Sequence, residues 1–248
     1  MNNEFIFPYK KIVCFGDSFT EGEDSGGPGL TDITKTYPYF LSELLNTTYV
    51  NLGIRGNSNS LMFIQMLDYI NAHKNQLTNT LFLVGLTMSA RTYSGNLELI
   101  QLRGSDYSSN HIFNESFKLK TISPSFEVKN REEHNILYSF INETDEAHII
   151  QTFQAMLAML GLCKLHNVDI FFIDVILNIT TCYKKYGVDF SMFDPHLLNN
   201  ITIFDILTQL YSNVRTMSGH LNANGYELFA QHVYELLTAK IAEKNEQN

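Results

Sequence analysis

The sequence predicts an α/β protein built on a doubly wound, mostly parallel sheet. Two observations carry this. Short runs rich in apolar and β-branched residues alternate along the chain with helical stretches, the pattern of repeated βαβ units. One of these runs, residues 80–85 (Thr-Leu-Phe-Leu-Val-Gly), is apolar almost throughout, as a strand covered on both faces must be.

The elements follow in order. Residues 11–15 form the first strand, ending at Gly16. A helix over 37–45 has Pro38 at its start, with Tyr39, Phe40, Leu44 and Leu45 spaced as one buried stripe. Residues 49–52 make a short second strand that ends at Gly53. Ser58 or Asn59 then caps a helix whose stripe is Leu61, Ile64, Leu67 and Ile70. The third strand is 80–85, a long helix covers 148–166, and a fourth strand covers 169–175. Asn222 or Asn224 opens the last helix, which runs to about residue 242 before a polar tail.

Composition narrows the function. The 248 residues are expected to form a single domain with a sizeable core, and 44% apolar content argues against disorder. A net charge of −9 argues against a nucleic-acid partner, which needs clustered Lys and Arg, and Lys184-Lys185 reads as a solvated loop. No apolar run approaches the roughly 18 residues that span a bilayer, and residues 1–11 hold no long apolar segment. The expectation is therefore no membrane association, no signal peptide and a cytoplasmic location. Cys14, Cys163 and Cys182 are odd in number, widely spaced and without a metal-ligand pattern, which reads as reduced structural cysteines. Residues 91–146 break the strand–helix rhythm. That length points to an inserted region or small subdomain, either a lid or substrate wall using Tyr93, Tyr107, Tyr138 and Phe140, or a surface excursion with its own aromatic cluster.

The chemistry begins at Gly16-Asp17-Ser18, directly after the first strand. Gly frees the backbone for a sharp turn, and the rim of an open α/β sheet is where ligands bind. Read alone, Ser18 is either a helix N-cap or a nucleophile. Acyl transfer also needs a base and donors aimed at the developing oxyanion. His220 stands in the loop before the last helix, positioned to point across the strand ends. The turn after the second strand, Asn51-Leu52-Gly53-Ile54-Arg55-Gly56-Asn57-Ser58, offers glycines. There Gly56 either presents a bare N–H or simply provides a positive φ.

In order and spacing these three segments resemble the SGNH/GDSL hydrolase family over the whole chain. Residues 11–22 resemble its first block, 51–58 its second and 219–226 its fifth. The resemblance implies a three-layer α/β/α, flavodoxin-like fold in which Ser18 is the nucleophile, His220 the base and Gly56 an oxyanion donor beside the Ser18 N–H. Two departures stand out. The family's third block reads Gly-x-Asn-Asp, whereas this chain reads Gly85-Leu86-Thr87-Met88 and places Thr87 where the oxyanion Asn belongs. A hydroxyl donates one hydrogen bond but is shorter than an amide, and Arg91 nearby either supplies charge to a substrate or pairs with a carboxylate. The family also places Asp three residues before the His, and that position is Met217. A backbone carbonyl, Ser218, Asp194 or Asp205 is then left to orient His220, in a Ser–His dyad or atypical triad. Asp17 is expected to shape the turn.

The resemblance implies an ester hydrolase acting through an acyl-enzyme on a small-molecule or carbohydrate ester, O-acetyl groups included. It implies no cofactor and no metal. The rival reading is a binding or structural protein that keeps the scaffold without efficient chemistry. A nucleotide binder is disfavoured, because the first turn lacks a GxGxxG or GxxxxGK[ST] cradle.

Overall fold

The computed structural model describes residues 6–87, 92–94, 120–122, 145–175, 189–198, 202, 212–216 and 219–246. Among them are six strands: β1 (Lys11–Gly16), β2 (Thr48–Gly53), β3 (Thr80–Leu86), β4 (Thr92–Ser94), β5 (Lys120–Ile122) and β6 (Asp169–Asp174). Four lie in one parallel sheet in the order β2-β1-β3-β6, while β4 and β5 pair antiparallel by themselves. In register, Ile12 of β1 faces Tyr49 of β2 and Leu81 of β3, and Val84 faces Phe172 of β6. The order reverses at β1, so the chain winds in opposite directions on its two sides. The switch point between β1 and β3 is where such sheets hold ligands.

Among the described residues five α-helices accompany these strands: α1 (Ser18–Glu21), α2 (Tyr37–Leu45), α3 (Asn59–His73), α4 (Asp145–Leu165) and α5 (Ala223–Glu246). Alternate strand residues face opposite layers. Val13, Phe15, Phe82, Val84 and Phe172 pack with Met62, Met66 and Tyr69 of α3 and Met156, Met159 and Cys163 of α4. Ile12, Cys14, Leu83 and Ile173 pack with Leu41 and Leu45 of α2 and Phe229, Val233 and Leu237 of α5. The result is the three-layer α/β/α arrangement, with all seven residues of β3 buried.

Local chemistry sets the helix starts. Thr36 caps α2 by accepting from the Tyr39 N–H, with Pro38 in the first turn, and Ser58 caps α3 by accepting from the Leu61 N–H. Asn222 accepts from the Gly225 N–H, which fixes the start of α5.

Both predicted stripes need correction. In α2 the inward residues are Tyr37, Pro38, Leu41, Ser42 and Leu45, while Leu44 is exposed. In α3 they are Asn59, Leu61, Met62, Gln65, Met66, Tyr69 and Ile70, and Ile64 and Leu67 are only half-buried. The α3 face is turned because Gln65 finds polar partners inside: it accepts from Asn57 and donates to the Leu52 carbonyl. A stripe drawn from apolarity alone leaves such a residue outside.

Cys14 and Cys163 are buried, unpaired thiols, and burial pushes that of Cys163 up to about 12. Cys182, Lys184 and Lys185 lie outside the described residues, as does most of 91–146. No described helix is long and apolar enough to cross a membrane.

Candidate active site

The site is assembled where β1 gives way to α1. Gly16 is required there because a Cβ would lie 1.9 Å from Thr20 Oγ1. Asp17 follows in extended backbone and caps α1, its Oδ1 accepting from the Phe19 N–H at 3.1 Å. Asp17 therefore shapes the turn, and the capping role that Ser18 could have played is taken. Ser18 instead becomes the first residue of α1, with its hydroxyl left to other partners. Gly22 ends the helix at φ +90°, and a Cβ there would strike Thr36. The second oxygen of Asp17, Oδ2, accepts from the Thr87 hydroxyl at 2.7 Å in a buried setting.

His220 reaches the same place from the far end of the chain. Its loop is a tight reversal: Thr216 donates to the His220 carbonyl through its N–H at 2.8 Å, and Gly219 turns at φ +90°. The Thr216 hydroxyl also meets Asp24 Oδ2 at 2.5 Å, tying this loop to the chain just beyond α1. Phe19 packs against the imidazole with ring centres 5.1 Å apart. His220 Nε2 stands 2.9 Å from Ser18 Oγ, across 202 residues of sequence. That is hydrogen-bond distance for a nucleophile and its base.

The turn after β2 closes the third side. Ile54 donates to the Gly16 carbonyl through its N–H, and Asn57, fully buried, donates to that carbonyl at 2.9 Å and to Gln65 at 2.7 Å. Gly53 presses on α1 so closely that a Cβ would lie 2.2 Å from the Glu21 nitrogen. Gly56 adopts φ +70°, a conformation that only glycine takes up easily. At Thr87 the main chain is held from both sides by Asn59, whose amide donates to the Thr87 carbonyl and accepts from its N–H.

Arg91, Met217, Ser218 and Asp205 lie outside the described residues. Asp194 sits on the 3-10 segment Ser191–His196, which touches β6 near its start, with His196 bonded to the Ile170 carbonyl. This is the end of the sheet opposite Ser18.

Two residues without an assigned role from the sequence join the site. Glu23 Oε2 lies 3.3 Å from His220 Nε2, and its Oε1 lies 3.3 Å from Arg55. Arg55 also pairs with Glu21 at 3.1 Å and donates to Thr31 at 3.0 Å. Burial raises the Glu21 carboxyl above its ordinary value, with the Arg55 guanidinium pulling the other way. Tyr226, whose hydroxyl donates to the Glu23 carbonyl, is pushed well up by burial and by the surrounding carboxylates. The signal for this cluster was present but three-dimensional. Only the parallel pairing of Gly16 with Gly53 places the turn carrying Arg55 beside the turn carrying Glu21 and Glu23.

Several known proteins share this arrangement of elements. No curated protein matches the chain in sequence. Among solved structures it is similar to a member of the lipolytic protein G-D-S-L family from Veillonella parvula. That likeness has a TM-score of 0.52 at 12% identity, over 92% of this chain and 98% of that one. It is also similar to a carbohydrate esterase family 2 enzyme plus carbohydrate binding domain from Corynascus thermopiles (Myceliophthora fergusii). Here the TM-score is 0.52 at 12% identity, over 95% of this chain and 67% of that one. At such identities the likeness shows the fold. The family itself is shown by sequence: the model described as GDSL-like Lipase/Acylhydrolase matches residues 12–233, from β1 into α5 and across every segment of the site. The chain belongs to the GDSL-like lipase/acylhydrolase family of ester hydrolases.

Proposed function

We propose that this chain is a serine esterase in which Ser18 is the nucleophile and His220 the general base. The observation that carries the reading is the 2.9 Å separation of Ser18 Oγ and His220 Nε2 at the switch point of the sheet. In the reaction Oγ bonds to the acyl carbon as its proton passes to Nε2. The ester C–O bond then breaks as that proton passes to the departing oxygen, leaving an acyl-Ser18. Water repeats the sequence and releases the acid.

The oxyanion is held by main-chain donors. Ser18 opens α1, so its N–H is one that the helix leaves without an intrahelical partner, and Gly56 brings bare backbone to the same mouth. Thr87 supports the hole through Asp17, to which its hydroxyl donates, by fixing the turn that carries Ser18. Arg91 remains the candidate for substrate binding in this reading. The substrate class we put forward is an O-acetyl ester on a carbohydrate, the direction suggested by the neighbour named a carbohydrate esterase family 2 enzyme. The retained Ser18–His220 pair favours this over a scaffold without chemistry.

Labelling with a fluorophosphonate tests the proposal, because the probe reacts only with an activated serine. Native protein is expected to label, and Ser18→Ala and His220→Ala are each expected to abolish labelling. Acetylated sugars are then hydrolysed by the native chain alone. A folded native protein that does not label overturns the esterase reading in favour of a binding scaffold.

A further inference from the structure

We propose that Glu23 is the carboxylate partner of His220 in this chain, acting on Nε2, the nitrogen that also faces Ser18. The inference rests on the serine-esterase reading above and goes beyond it, to the residue that governs when the base is competent.

The geometry is specific. Glu23 Oε2 is 3.3 Å from His220 Nε2, and both side chains are largely shielded from solvent, at 20% and 18% exposure. The Glu23 backbone is not free to drift. Its carbonyl accepts from Tyr226 at 2.9 Å, in the first turn of α5. Its neighbour Asp24 accepts from Thr216 and from the Gly29 N–H, both at 2.5 Å, so the chain bearing the carboxylate is bonded to the loop bearing the imidazole. On the other side Arg55 holds Oε1 at 3.3 Å. The charged groups around the pair, among the described residues, are Asp17, Glu21, Glu23 and Asp24 from the β1–α1 segment, Arg55 from the turn after β2, and Arg215 from the histidine's own loop.

Placement on Nε2 has a consequence that placement on the other ring nitrogen would not. A carboxylate oxygen beside Nε2 favours a proton there. Once Ser18 Oγ has bonded to the acyl carbon and passed its proton to Nε2, Glu23 stabilises the imidazolium until that proton moves to the departing oxygen. Glu23 gains and loses no proton itself. Before the reaction, the same carboxylate holds any proton already on Nε2, and a protonated Nε2 cannot accept from Ser18. Arg55, by drawing on the other oxygen, weakens the hold of the carboxylate on that proton. Glu23 is thus a positioning residue acting through His220.

The test pairs kinetics with a readout independent of turnover. For hydrolysis of p-nitrophenyl acetate, the acid limb of the kcat/KM profile is expected to move to lower pH by about one unit in Glu23→Gln. In Arg55→Gln it is expected to move the opposite way. The ring signals of His220, assigned by their loss in His220→Gln, are expected to show the same opposed shifts in an NMR pH titration. A purely structural role lowers rates at every pH without moving either midpoint, and that result overturns the proposal. If native protein neither labels with the fluorophosphonate nor turns over ester, the esterase reading fails. The NMR midpoints then still decide the Glu23–His220 contact: unmoved midpoints overturn it, and opposed shifts uphold it.

Discussion

Thr87 shows how one hydroxyl changes its meaning once its partner is known. Against the family pattern it stands where an oxyanion-hole amide is expected, but its proton goes to Asp17 Oδ2 at 2.7 Å, behind the turn that carries Ser18. Hydrogen bonds to ionised groups contribute about 1.5–3 kcal/mol, so Thr87→Val is expected to lower the unfolding free energy by about that amount, with Thr87→Ser retaining most of it. A direct oxyanion donor behaves differently: its removal lowers kcat by about 10²–10³-fold and leaves the melting curve in place. Urea unfolding and kcat measured on the same three proteins separate the two roles. Ser18 and His220 were legible in the sequence because each sits in a short ordered motif at a strand or helix end. The Thr87–Asp17 bond was not, because it depends on β3 lying beside β1, a pairing no local pattern encodes.

At the scale of elements, the placement of α1 depends on what β2 lacks. Gly53 ends β2 with Glu21 N at 2.2 Å and the Thr20 carbonyl carbon at 2.6 Å from where a Cβ would stand. Both obstacles are backbone, so no rotamer change relieves them, and Gly53→Ala must push α1 away. The expected cost is about 1–3 kcal/mol, together with weaker fluorophosphonate labelling, since α1 carries Ser18. Gly161 is the opposite case: it lies exposed in α4 with open space around its Cβ position. Gly161→Ala is expected to stabilise the protein by about 0.5–1 kcal/mol with labelling unchanged. Thermal melts of the two variants should therefore move in opposite directions. The helix starts were readable because Pro38, Ser58 and Asn222 act on their own first turns. The buried faces were less so, since Gln65 goes inward to meet Asn57, and a hydrophobicity pattern does not record a polar partner eight positions away.

Across the whole molecule, Asp169 joins three parts of the chain at the end of the sheet remote from Ser18. It opens β6, accepts from Tyr9 of the N-terminal segment at 2.7 Å, and pairs with Lys244 in the last turn of α5 at 2.5 Å. Burial works against its charge, but the hydrogen bonds from Lys244 and Tyr9 prevail and hold its carboxyl below the ordinary value of 3.8. A carboxyl lowered in the folded state adds stability above its unfolded value, and that stability is lost as pH falls through the folded value. Because both partners are substantially exposed, solvent screens the pair, and its contribution is about 0–1 kcal/mol. Asp169→Asn is therefore expected to lower the urea midpoint slightly at pH 7. The difference from native protein should shrink as pH drops below about 3.8 and also in 1 M salt, where exposed charges are screened within about 3 Å. Ester hydrolysis should not change, because the bond lies at the opposite end of β6 from the Ser18–His220 pair. A stability difference that persists unchanged through acid and salt would mean that Asp169 acts through packing, and the electrostatic closure of the two termini onto β6 would have to be abandoned.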